Sequence, residues 1–271
     1  MPLRRHAQSL EALYGAYNRR DFVHPDPVEL VHEYANPDDR ETVGLIAALL
    51  AYGRVRQILA SARWVLERLG PSPARVLWDA APSKLTARAA GFRHRFQTGI
   101  ELAALLIAMR AMMRRHGSLG RAFAAAVQPG DRTILPALAA WVGELSRDAG
   151  QRCGHLLPDP RRGSACKRLH LYLRWMVRRD AVDVGCWKGI GAERLIVPLD
   201  VHMHRLARAL GATGRASADA RTAEQVTGAF RTICPDDPVK YDFALTRLGI
   251  HPDADVDEFL AARGCEAVND A

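Results

Sequence analysis

An apolar rhythm of 3.6 residues runs through most of this chain, and almost nothing in it alternates with a period of two. In NPDDRETVGLIAALLAYGRVRQILASARWVLERLG, Asn36 suits a helix cap and Pro37 a first turn, while Val43, Ile46, Ala47 and Leu50 recur at i, i+3, i+4, i+7. Gly53 interrupts or ends that helix. A second amphipathic run follows through Val55, Ile58, Leu59, Ala62, Val65, Leu66 and Leu69 and stops at GPSP. Further helices are expected at Lys84–Ala90, Gly99–Arg115, Gly120–Val127, Ile134–Asp148, Ser164–Arg179, Val201–Leu210, Ala218–Ile233 and Pro238–Leu248. The best strand candidate, RLIVPL, is demoted to a connector by Pro198. The expectation is an all-α protein of about ten helices without internal repeats.

The chain has 271 residues, enough for a sizeable core, and 48% hydrophobic with 25% charged residues suits a folded globular protein. The Pro/Gly/Arg-rich stretches GPSPARVLWDAAPSK and CGHLLPDPRRGSACK are the expected surface joints. The longest apolar stretches, GLIAALLAY and LAALLIAM, are too short to span a bilayer. Cys153, Cys166, Cys186, Cys234 and Cys265 form no CxxC pair and no zinc or iron–sulfur spacing, so reduced thiols and a cytoplasmic location are expected.

A net charge of +8 favours a polyanionic partner, although arginine heavily outnumbers lysine, which a GC-rich genome would also produce. The distribution is more telling than the sum. Between Gly150 and Asp180 stand eight basic residues, Arg152, Arg161, Arg162, Lys167, Arg168, Arg174, Arg178 and Arg179, against Asp159 and Asp180.

Within that stretch, in DPRRGSACKRLHLYLRWMV, a turn containing Gly163 feeds a helix with Lys167 in its first turn. The positive end of a helix disfavours a cation there, so the lysine is either a solvated member of a basic face or a group with another use. A free lysine titrates near 10.4; lowered to roughly 7–8 by such a field and by burial, it becomes an available nucleophile able to form a Schiff base. Exposed N–H groups of the turn, with neighbouring arginines, would hold a phosphate without reading sequence.

In LIVPLDVHMHRLARALG, three roles are open to Asp200: an N-cap for the run that follows it, a metal ligand with His202 and His204, or a catalytic carboxylate. The cap and the catalytic role are compatible, because capping N–H groups keep a carboxylate ionised. If a helix starts at Val201, the two histidines diverge around it, which disfavours the metal.

These two segments, in this order, resemble the helix-hairpin-helix DNA glycosylase superfamily. The wider chain, through NRRDFVHPDP, DRETVGLIAALLAYGRVRQI, SACKRLHLYLRWMVRRD, IVPLDVHMHRLARALG and DPVKYDFALTRLGI, also resembles a bacterial protein family of unknown function over roughly residues 10–251. The distance between Lys167 and Asp200 is closer to that of archaeal 8-oxoguanine DNA glycosylases than to the endonuclease III type. The resemblance implies a single helix-hairpin-helix unit of two helical subdomains around a cleft, approximately residues 36–150 and residues 151–271 with 1–35. It makes Lys167 the Schiff-base nucleophile and Asp200 the carboxylate that assists attack. Two departures are visible: Gly53 and Arg54 stand where a polar gap-filling side chain is common, and Ala165 replaces the second glycine of the hairpin. The four-cysteine cluster of endonuclease III-like members is missing, and no metal or other cofactor is expected.

The function expected on this resemblance is a DNA repair glycosylase with AP-lyase activity acting on a damaged base, such as 8-oxoguanine, in double-stranded DNA. Arg54, Arg161, Arg162, Gly163, Ser164, Arg168, His202 and Arg205 are the candidate DNA contacts; Gln57, Phe92, Phe96 and Asp242 are the candidate base-pocket residues. A monomer near the nucleoid is expected, and phosphate contacts alone leave RNA open as a substrate. Two rivals stand beside this reading: a non-enzymatic DNA-binding protein on the same scaffold, and a metal-dependent hydrolase using Asp200, His202 and His204.

Overall fold

Helix α3 (Pro37–Leu50) is the centre of the molecule. Asn36 caps it by accepting the Asp38 N–H at 2.8 Å, Pro37 fills the first turn, and from Glu41 to Leu50 every side chain is buried. A helix buried on all sides must be surrounded, and the rest of the chain does this. The computed structural model describes residues 2–248 and Phe259. Cys265 and the last two residues of DPVKYDFALTRLGI lie outside the described residues.

Before α3 come α1 (Ala7–Tyr17) and the single turn α2 (Glu29–His32). After it run α4 (Val55–Leu69), α5 (Pro73–Asp79), α6 (Pro82–Ala89), a two-stranded hairpin of β1 (Arg93–His94) and β2 (Gln97–Thr98), α7 (Gly99–His116), α8 (Leu119–Ala126) and α9 (Leu135–Asp148). Then follow α10 (Lys167–Val177), α11 (Val201–Ala209), α12 (Ala220–Arg231) and α13 (Asp242–Leu248). The protein is all-α apart from that hairpin, and RLIVPL is a buried connector, with Val197 N–H bonded to Thr227 Oγ1 at 3.0 Å.

One expectation is corrected. The stretch GPSPARVLWDAAPSK is not merely a joint: it holds all of α5 and the start of α6, each opened by a proline at a position where a missing N–H costs nothing. The segment ahead of α10, CGHLLPDPRRGSACK, is a joint as expected and runs through two 3-10 turns, Gly154–Leu156 and Pro160–Arg162, before the lysine.

Caps fix the ends that matter. Thr98 and Glu101 form a reciprocal capping box on α7, and Asp219 caps α12 through the Thr222 N–H at 2.9 Å. Glu41 of α3 reaches the start of α8, accepting from Leu119 N at 2.7 Å and Gly120 N at 2.8 Å, and also from Trp187 Nε1 at 2.9 Å. Burial raises its pKa, and those three donors pull it back down without reversing the shift.

Helices α7, α6, α9 and α8 pack on one another, α1 and α11 pack on α13, and α10 lies along α3. That last contact is close because Gly44 faces α10: a Cβ there would meet Met176 Cε at 2.8 Å and Tyr172 Cε2 at 3.3 Å. The seating of α10 on α3 brings its first turn to the end of α3, where Ala51 and Tyr52 lie beside Lys167.

Candidate active site

Chain direction at Lys167 is set by three consecutive local devices. Asp159 opens the 3-10 turn by accepting the Arg161 N–H at 3.0 Å, Gly163 takes the left-handed conformation at φ 77°, and Ser164 Oγ accepts the Cys166 N–H at 3.3 Å. Cys166 is itself left-handed at φ 44°, a conformation that costs a non-glycine residue about 1 kcal/mol or more. The turn is docked on the start of α12, where Ala220 N bonds to Gly163 O at 3.0 Å. Helix α10 then begins at Lys167 with no side-chain cap.

Asp200 reaches the same place from the other direction. It is the N-cap of α11, its Oδ1 accepting the Met203 N–H at 2.8 Å, while Oδ2 lies 2.8 Å from Lys167 Nζ. The cap and the paired carboxylate are one residue using its two oxygens. Burial would raise the Asp200 carboxyl; the Lys167 ammonium, the Met203 N–H and nearby His202 outweigh it and hold the carboxyl below its ordinary value. The pair is partly open to solvent, with side chains 34% and 36% exposed.

Beside the pair is a cavity of about 490 Å³. One wall is the end of α3 and the start of α4, including Tyr52, Gly53 and Ile58; the other is Lys167, Leu171 and Arg174 of α10 with Asp200 and His202. Asp242, Phe243, Thr246 and Arg247 of α13 and the N-terminal Pro25, Asp26 and Pro27 complete it. A smaller hollow of about 340 Å³ lies over the converging starts of α10 and α11, bordered by Ser164, Ala165, Cys166 and Val201.

Behind the cavity is a buried ionic network. Arg174 bonds to Asp242 Oδ2 and, at 3.1 Å, to Asp183; Arg178 pairs with Asp183, with Asp180 at 2.9 Å and with Asp237 at 2.8 Å. Arg247 pairs with Asp26 at 2.5 Å, and its Cζ lies 4.8 Å from the Phe243 ring. Two buried nitrogens that belong to wall residues have no hydrogen-bond partner: Arg247 Nε and His202 Nε2.

The structure brings together Lys167, Asp200, His202 and Asp242 among the residues singled out in the sequence. Others lie elsewhere. Gln57 is exposed on α4 and lines no part of the cavity. Phe92 is 2% exposed, in the core, its ring 5.4 Å from that of Trp64. Phe96 is 78% exposed at the tip of the hairpin and borders a neighbouring hollow with Tyr52, Gly53 and Arg95.

The basic stretch is also less external than its composition implies. Arg174 and Arg178 are spent in the buried network. Arg168 is turned inward, bonded to Leu49 O at 2.5 Å, to Leu156 O at 3.2 Å and to His155 O, with its Cζ 4.9 Å from the Tyr52 ring. It braces the turn against α3, with three of its five N–H donors spent on main-chain carbonyls. Arg54, Arg162, Gly163, Ser164 and Arg205 are exposed, as is Arg161, which pairs with Asp159 at 2.9 Å.

The trio Asp200, His202 and His204 does not converge. His204 is buried on the opposite side of α11's first turn and bonds to Arg215 O at 2.9 Å, away from the cavity that His202 lines. Among the described residues no group of three or more His, Cys, Asp or Glu is arranged to hold a metal ion.

Tyr52, Asp26 and Arg247 are wall residues that sequence reasoning missed. Arg247 follows Asp242 by five positions in KYDFALTRL, roughly 140° apart around a helix, so periodicity does not place both at one wall, and its partner Asp26 is a tertiary fact.

The fold and site define an all-α protein in which an amine and a carboxylate, each at the start of a helix, meet beside a cavity walled by residues from both ends of the chain. The chain belongs to the family described as protein of unknown function (DUF2400), whose model matches residues 26–251 and so spans every cavity-wall residue except Pro25. Comparison with curated proteins and with solved structures gives no match. Among the described residues no helix is long and apolar enough to cross a membrane.

Proposed function

We propose that this protein is a DNA glycosylase with AP-lyase activity, acting on a damaged base, such as 8-oxoguanine, that has been extruded from double-stranded DNA. The observation that carries the reading is the Lys167–Asp200 pair, 2.8 Å apart at the wall of a cavity of about 490 Å³. An enzyme that works on a base must take it out of the stack, and it needs a pocket beside the reacting sugar.

In this reading the Lys167 amine, its proton released to solvent, attacks the sugar C1′ beside the ionised Asp200. The C1′–N bond breaks, its electron pair leaves with the base, and the base takes up a proton. Opening of the sugar breaks C1′–O4′ and gives a protonated imine on Lys167. Loss of a C2′ proton then expels the 3′ phosphate, and water hydrolyses the imine to release the lysine. Asp200 assists attack as the negative charge opposite a developing cation. The exposed Arg54, Arg161, Arg162 and Arg205, with the turn at Gly163 and Ser164, supply sequence-independent contacts to phosphates.

Borohydride reduction of the imine tests this directly. Incubating the protein with duplexes carrying single oxidised or alkylated bases should give a covalent adduct that Lys167→Gln abolishes. No adduct across the panel overturns the reading; salt-sensitive duplex binding that Lys167→Ala leaves unchanged, without strand cleavage, would instead make the protein a DNA-binding module.

A further inference from the structure

The carboxylates that line the main cavity are each matched to a base of their own. Asp200 faces Lys167 at 2.8 Å, Asp242 bonds to Arg174, and Asp26 pairs with Arg247 at 2.5 Å. The pairs differ in how far they are sealed. The Lys167 and Asp200 side chains are 34% and 36% exposed, whereas those of Arg174 and Asp242 are 3% and 4% and those of Arg247 and Asp26 5% and 15%. Both arginines are fixed, buried charges, while the lysine has water at hand to take its proton.

Arg174 is placed to act on the lysine. It follows Lys167 by seven positions on α10, about two turns and roughly 10 Å along the face that lines the cavity. Helix side chains lean towards the N-terminus, which carries its guanidinium in the direction of the amine. Asp183 also holds it, at 3.1 Å and from a fully buried position, so its place does not depend on Asp242 alone. Asp242 in turn lies within electrostatic reach of the reactive pair. Burial raises its carboxyl and Arg174 pulls it back without reversing the shift, with smaller effects from Asp200, upward, and Lys167, downward. Other titratable groups around the lysine are Tyr52 from the end of α3, with Arg168 over its ring, Cys166 from the preceding turn and His202 from α11.

We infer that Asp242 and Asp26 are positioning residues for the amine: by cancelling the charges of Arg174 and Arg247 they keep the cavity wall electrically balanced, and so set the pH at which Lys167 becomes a nucleophile. An unmatched cation beside a lysine favours loss of its proton. Two unit charges about 10 Å apart, at an effective dielectric constant of about 20, move a titration by about one pH unit. The balance keeps the amine on Asp200 and spares it from small carbonyl compounds that enter the cavity. The inference deepens the glycosylase reading, in which this amine attacks the sugar, and rests on that reading for its use in catalysis.

The test needs no DNA. The chain has four lysines, Lys84, Lys167, Lys188 and Lys240, of which Lys84 and Lys188 are exposed. The full-length protein is treated with formaldehyde and cyanoborohydride over a range of pH. Methylation of each lysine is followed by peptide mass spectrometry, with Lys84 and Lys188 as references in the same sample. In Asp242→Asn, whose amide oxygen can still accept from Arg174, the Lys167 profile should move about one unit to lower pH, a roughly tenfold gain over the references on its rising limb. Combining Arg174→Met with Asp242→Asn removes both charges and should return the profile to that of the wild type. Asp237→Asn takes a carboxylate from Arg178 outside the cavity wall and should leave the profile in place.

An unmoved Lys167 profile in folded Asp242→Asn, an equal shift in Asp237→Asn, or a double variant as displaced as the single one overturns the inference. Should Asp242→Asn fail to fold, Asp26→Asn decides: it frees Arg247 in the less sealed of the two arginine pairs and must move the profile in the same direction, or the inference falls. The glycosylase reading is decided separately, by borohydride trapping on damaged duplexes. A shifted profile without any trapping would keep the tuned amine and remove DNA as its substrate.

Discussion

Lys167 and Asp200 each stand at the start of a different helix, and their charged ends meet at 2.8 Å while Asp200 still caps its own helix through Met203 N. The two duties of the aspartate can be separated experimentally. Asn caps a helix about as well as Asp but carries no charge. Asp200→Asn should therefore lower stability by less than about 1 kcal/mol while reducing imine trapping by roughly 100-fold or more. Asp200→Ala should lose both the trapping and about 1 kcal/mol of stability. Denaturant midpoints measured beside trapping rates separate the cases, and an Asn variant that traps as fast as wild type would show that the carboxylate is only a cap.

The same pair has a defined pH signature. The folded Asp200 carboxyl titrates below its ordinary value of 3.8, so the stability it contributes is fully present above that value and is lost as pH falls through the lower folded value. The difference in unfolding free energy between wild type and Asp200→Asn should be flat from pH 5 to pH 8 and shrink only in strong acid, as followed by urea titrations at each pH.

A second titration acts at milder acidity. His170 on α10 is buried, its Nδ1 has no partner, and burial pushes its pKa from 6.5 down to about 4. Between those values the unfolded chain takes up a proton that the folded one refuses, so stability falls as pH drops from 6.5 towards 4, by at most about 1.4 kcal/mol per unit. His170→Leu should flatten that part of the stability profile; an unchanged slope would place the loss on other groups.

Glu41 offers a test of the scaffold alone. It serves the N–H groups of Leu119, Gly120 and Trp187 from a position 3% exposed. Glu41→Ala leaves those donors without an acceptor and should cost about 3 kcal/mol or more, whereas Glu41→Gln keeps one acceptor and should cost less. Thermal or urea unfolding of both variants checks the ranking.

The basic stretch before α10 should divide into two kinds of arginine. Arg162→Ala removes an exposed charge and should reduce the slope of log affinity for duplex DNA against log salt by about 1. Arg168→Met removes a brace on Leu49 O, Leu156 O and His155 O and should lower stability while leaving that slope unchanged. Binding isotherms at several salt concentrations, with a melting curve for each variant, distinguish the two effects.

Much of the helical layout was legible because burial follows period: α3, α4, α7 and α9 carry apolar stripes or are apolar throughout. The short α5 was not, since Pro73 reads as a breaker in a proline-rich string yet serves as a first-turn residue. At the site, Lys167 and Asp200 were each legible singly at a recognisable start of a helix, and only the resemblance put them together. Phe92 and Phe96 could not be placed, because an aromatic near a hairpin tip is core or surface according to which strand face it occupies, and a two-residue strand gives no pattern to decide it. The inward turn of Arg168 depends on carbonyls at Leu49 and His155 that no local pattern announces.

The Asp26–Arg247 ion pair ties the N-terminal part of the cavity wall to its last residue. Lys167 and Asp200 both precede α13 in the chain, yet the cavity beside them is closed on one side by α13 lying against the N-terminal Asp26. Without α13 the cavity would lose the wall that Asp242, Phe243, Thr246 and Arg247 supply, and the Lys167–Asp200 pair would face open solvent.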